Sequence, residues 1–86
     1  MASIEEVRAG IALANQKASE SLGALQQAHS QLEEAQSALT RVTEGSSQAD
    51  VHDANNQLQH AVASISEVQQ LVRTAIDTAE GISHRL

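Results

Sequence analysis

The sequence predicts an all-α fold: an antiparallel hairpin of two long helices joined by a coiled-coil-like seam. Three observations carry this expectation. The 86 residues contain no Pro and four Gly, so no strong helix breaker is present, while the abundant Ala, Gln, Glu and Leu favour helix. Apolar or small residues recur at alternating spacings of three and four through both halves. The two recurrences fall out of step in the middle, at "TEGSSQAD" (residues 43–50).

The first helix is expected over residues 3–44. Ser3 and Glu6 have the spacing of a capping box, and Glu5 and Glu6 place negative charge in the first turn, where the helix dipole favours it. One heptad column, a, holds Ile4, Ile11, Ala18, Leu25, Leu32 and Leu39. Column d holds Val7, Ala14, Ser21, Ala28, Ala35 and Val42. A turn over 45–47 follows, with Gly45 suited to end the helix and Ser47 and Asp50 suited to start the next.

The second helix is expected over residues 48–84. Its column a is Val51, Leu58, Ile65, Val72, Ala79 and Leu86, and its column d is Ala54, Ala61, Val68, Ala75 and Ile82. Continuing the first register would put Asp53 in the seam, so one unbroken helix would turn its apolar stripe away from a partner. Folding the chain back removes the conflict. When residues whose numbers sum to 93 are paired, every seam position meets a seam position, as in Val42–Val51, Leu32–Ala61, Leu25–Val68 and Val7–Leu86. Several pairs set a large side chain against a small one, which fills a seam between close helices. His84 and Arg85 suit a helix C-terminus, whereas Gly81 predicts fraying of the last turn.

Two helices make one seam and no enclosed core, so a partner is expected. Leftover apolar residues mark where it would sit. Leu22, Val62 and Ile76 fall in column e, while Leu13 falls in c and Ala24, Ala38 and Leu71 in g. The thin layer Ala18–Ala75 and its neighbours would form a groove rimmed by Leu22 and Ile76. These residues either widen the hairpin's own seam or receive a second hairpin to complete a four-helix bundle. On the second reading the partner-binding residues are Leu22, Val62, Ile76, Ala18, Ala75, Leu13 and Leu71.

Chemical signatures are missing. Without Cys there are no disulfides, thiolate ligands or thiol nucleophile. His29, His52, His60 and His84 form no His-x-x-x-His pair, and none follows a Glu at three residues. Glu33 and Glu34 point in different directions on a helix and read as a solvated face. No Gly-x-Ser-x-Gly elbow or phosphate loop occurs. A non-enzymatic protein without cofactor or metal is the expectation. A net charge of −6 with five Lys and Arg argues against nucleic acid, and no apolar run is long enough for membrane insertion. The start, "MASIEEVRAG", is acidic and amphipathic rather than signal-like. Cytoplasmic placement is expected, with export without a signal peptide left open.

A small, acidic, Cys-free helical hairpin with a central turn resembles the Trp-x-Gly proteins of type VII secretion and the helical adaptors of toxins exported by such systems. The resemblance covers the whole chain as architecture. The family's Trp-x-Gly would fall in "TEGSSQAD", where Gly45 is present without a preceding Trp. The family's Tyr-x-x-x-Asp/Glu signal has no counterpart in "AEGISHRL". The resemblance implies an adaptor or partner subunit that docks a helical segment of a larger, secreted protein. The alternative is a self-assembling homodimeric bundle.

Overall fold

The structure, a computed structural model, describes residues 3–42 and 49–86. The expected caps at Gly45 and Ser47 lie outside the described residues. Helix α1 runs from Ile4 to Val42 and helix α2 from Ala49 to Arg85. The two pack along their length into a rod measuring 64 × 18 × 15 Å.

Local chemistry accounts for the described ends. The Glu6 N–H donates to Ser3 Oγ at 3.1 Å and the Val7 N–H donates to the Ser3 carbonyl at 3.0 Å. Ser3 thus satisfies two of the donors that a helix start leaves open. Asp50 lies in the first turn of α2, and His84 and Arg85 in its last, in both cases with the sign that the dipole favours. The frayed end expected after Gly81 is not found: α2 continues to Arg85, and the Leu86 N–H closes on the Ser83 carbonyl at 3.4 Å. Ala79, Gly81 and Ser83 are all half-buried. Packing against α1 offsets the roughly 1 kcal/mol that Gly costs in a helix. Within α1, the Ser21 hydroxyl donates to the Ala18 carbonyl at 2.6 Å, so the polar residue of column d is satisfied by its own helix.

The seam differs from the expected pairing of columns a and d. In α1 the half-buried positions include Ile11, Asn15, Ala18, Leu22, Leu25, His29, Leu32, Gln36 and Leu39, which alternate between columns a and e. In α2 the same two columns supply Val51, Asn55, Leu58, Val62, Ile65, Gln69, Val72, Ile76 and Ala79. Val62 and Gln69 are the most buried, at 8% and 6% exposure. Column d is mostly outside: Val7, Val42, Val68 and Ile82 are exposed, as are Ala14, Ser21, Ala35 and Ala75, while Ala28, Ala54 and Ala61 are half-buried as the a–d pairing expects. Relative to the expected seam, each helix is turned roughly 50° about its own axis, at about 100° per residue. The turn brings Leu22, Val62 and Ile76 of column e inward, where burial favours them. It also lets Gln36, Asn55 and Gln69 of the same column bond across the seam, while Val68 and Ile82 of column d are left outside.

Candidate partner-docking surface

The seam divides the rod into two unlike sides. Among the described residues, side-chain hydrogen bonds cross it on one side. Gln36 Nε2 donates to Gln59 Oε1 at 3.0 Å, Gln69 Nε2 to Gln26 Oε1 at 3.3 Å, and Asn55 Nδ2 to Thr40 Oγ1 at 3.4 Å. Each bond joins a column e residue of one helix to a column b residue of the other. In every pair the residue numbers sum to 95. The helices are therefore antiparallel and keep one register from near the turn to the middle of the rod. The b columns of both helices lie on this polar side, so the d columns of both lie on the opposite side.

That opposite side is open and apolar along column d, with Lys17, Gln31, Asp50, Gln57 and Arg85 of column g at its outer edge. From α2 it presents Val68 at 43%, Leu71 at 69% and Ile82 at 41% exposure, with Ala75 exposed among them. From α1 it presents mainly small residues: Ala14, Ser21, Ala24, Ala35 and Ala38, all exposed. None of the described acidic residues falls in column a, d or e. They sit in b, c and f, with Asp50 in g; column c is next round from g, so its Glu and Asp residues stand at the outer rim of this side and those in b and f away from it.

The residues singled out from the sequence separate accordingly. Val62 is buried inside the hairpin, with Leu22 and Ile76 half-buried in the same column and Ala18 half-buried in column a. These four belong to the seam, and the groove envisaged between Leu22 and Ile76 is filled by the hairpin's own helices. Ala75 and Leu71 are exposed on the apolar side. Leu13, at 57% exposure, stands in column c, farther round α1. Val68 and Ile82, which the a–d pairing places in the seam, stand exposed on this side. The width of the apolar stripe could have revealed them: it spans columns d, a and e, about 100°, which is the width of a bundle helix rather than a two-stranded seam.

Two ionic contacts are found among the described residues. His29 Nδ1 lies 3.0 Å from Glu33 Oε1, without hydrogen-bond geometry. Lys17 and Glu20 pair at 3.5 Å on the surface. Among the described residues no three His, Asp or Glu side chains gather as a metal site, and no helix is long and apolar enough to cross a membrane. The hollow lined by Ser30, Glu33, Glu34, Ser37, Ala38 and Arg41 is open to solvent, as is the one lined by Arg8, Ile11, Asn15, Glu80, Ser83 and His84. No family model, no curated protein and no solved structure matches the chain.

Proposed function

We propose that this chain is a non-enzymatic helical interaction module that docks partner helices on its apolar side and completes a four-helix bundle. The single observation that carries the reading is the one-sided exposure of apolar residues in columns d and g. Val68, Leu71 and Ile82 stand exposed beside a small-residue surface on α1, along a rod whose own seam encloses little. Bundle helices bury a stripe this wide against two neighbours, and each helix here has one. The partner must supply helices. A hairpin-forming segment of a larger protein meets that need, which is the adaptor role the resemblance implies, and so does a second hairpin of the same kind.

A photo-crosslinking amino acid placed at Leu71, and separately at Gln59 on the polar side, tests the reading in the producing cell. Position 71 is expected to join a protein whose mass spectrum identifies helical peptides, and position 59 to join little. Equal capture at both positions, or none at 71, would contradict a docking role for the apolar side. The mass of the adduct reports whether the partner is a larger protein or another copy.

A further inference from the structure

We infer that the occupant of the apolar side is a second copy of this chain, bound face to face through columns d and g. The inference rests on the interaction-module reading and adds the partner's identity. Three features favour a copy over a different helical protein.

The first is area. The chain exposes 6259 Å², against roughly 4,900 Å² for a compact monomer of its 9.1 kDa mass. The excess, roughly 1,400 Å², exceeds the approximately 800 Å² that each partner contributes to a stable interface. A second rod laid along the 64 × 18 Å side covers enough of it.

The second is charge. The chain carries a net charge of −6, which ordinarily opposes self-association. Column d carries no ionised side chain in either helix, and column g adds Lys17, Asp50 and Arg85. Two copies therefore meet on surfaces with almost no net charge, with the remaining carboxylates in b, c and f at the rim or beyond it.

The third is shape. Between the rod's ends, α1 is the smaller half, with Ala14, Ser21, Ala24 and Ala35 beside Lys17 and Gln31, and α2 carries the large aliphatic groups Val68, Leu71 and Ile82 beside Ala75. A copy turned about an axis along the rod lays the large half of each chain on the small half of the other. The face thus complements itself, as a two-fold interface requires.

Sedimentation equilibrium of the pure chain tests the inference, read together with helicity by circular dichroism. A species of about twice 9.1 kDa is expected. Val68→Glu with Leu71→Glu is expected to give a helical monomer, because both sites are exposed in the single hairpin. The matched polar-side variant, Ser19→Glu with Ser66→Glu, is expected to remain dimeric. A milder change, Leu71→Ala, is expected to weaken the dimer about tenfold from lost apolar burial, which keeps the test decisive if the double variant does not fold. A dimer that resists the apolar-side variants would overturn the assigned face. A monomer with partial helicity and a broad melt would overturn the second copy while leaving docking of another protein standing. A monomer with full helicity and a sharp melt would overturn both readings.

Discussion

Val62→Asp is expected to abolish most of the helical signal at neutral pH and 25 °C. Val62 is 8% exposed in the middle of the seam. The nearest columns on both helices hold aliphatic residues, Gln, Asn and His29, and the described Lys and Arg lie outside the central seam. A carboxylate there would be desolvated without a cationic partner. Removing such a group from water costs several kcal/mol, comparable with the whole stability of a small domain. Burial also raises the pKa of the introduced carboxyl in the folded state. Its destabilisation is therefore largest above that pKa and is relieved as pH falls through it and the group becomes neutral. Circular dichroism at 222 nm should show helicity lost at pH 7 and partly recovered near the upper end of the carboxylate range. A fully helical Val62→Asp protein at pH 7 would place Val62 outside the seam.

The second large effect has the opposite sign. His29→Leu with Gln69→Leu is expected to stabilise the hairpin by about 2 kcal/mol. Both residues stand in column e. Gln69 is 6% exposed and bonded to Gln26 at 3.3 Å, and the side chain of His29 is 20% exposed, with Nδ1 lacking a hydrogen-bond partner. Replacing them continues the aliphatic column of Leu22, Val62 and Ile76, while Gln26 remains solvated. The melting midpoint should rise by about 10 °C for a domain of this size. The Gln69–Gln26 bond is expected to contribute to register rather than to stability, as a polar seam residue can in coiled coils. The variant should therefore melt higher and populate more than one association state. A lower midpoint would show that the polar pairs contribute net stability.

Much of the fold could be read from the residues. Column a is common to the expected and the observed seam, from Ile11 to Leu39 and from Val51 to Ala79, because these positions are apolar whichever neighbour is chosen. Ser3 could be read because a cap acts through its own backbone neighbours, independently of tertiary packing. The flanking column could not. Both d and e continue the three-and-four spacing, and apolar periodicity alone weighs Ala35 as heavily as Leu22. What decides between them is the volume that a seam can enclose and the polar partners available at its edge. Column e supplies Leu22, Val62 and Ile76 together with residues that close the side through Gln36–Gln59 and Gln26–Gln69, and column d, despite Val68 and Ile82, supplies no such partners. The displacement carries the functional consequence. Leu22 and Val62 move from a supposed docking face into the hairpin, and Val68 and Ile82 move from a supposed seam onto the open side.

Thiol labelling tests the central claim most directly, and the chain suits it because it contains no Cys. Val62→Cys and Val68→Cys would be compared at increasing protein concentration with a small maleimide. The thiol at position 62 is expected to be protected at every concentration. The thiol at position 68 is expected to react rapidly when dilute and to become protected as the concentration rises. The reverse pattern, with position 62 reactive and position 68 protected even in dilute solution, would mean that the helices pair through columns a and d and that the open apolar side does not exist.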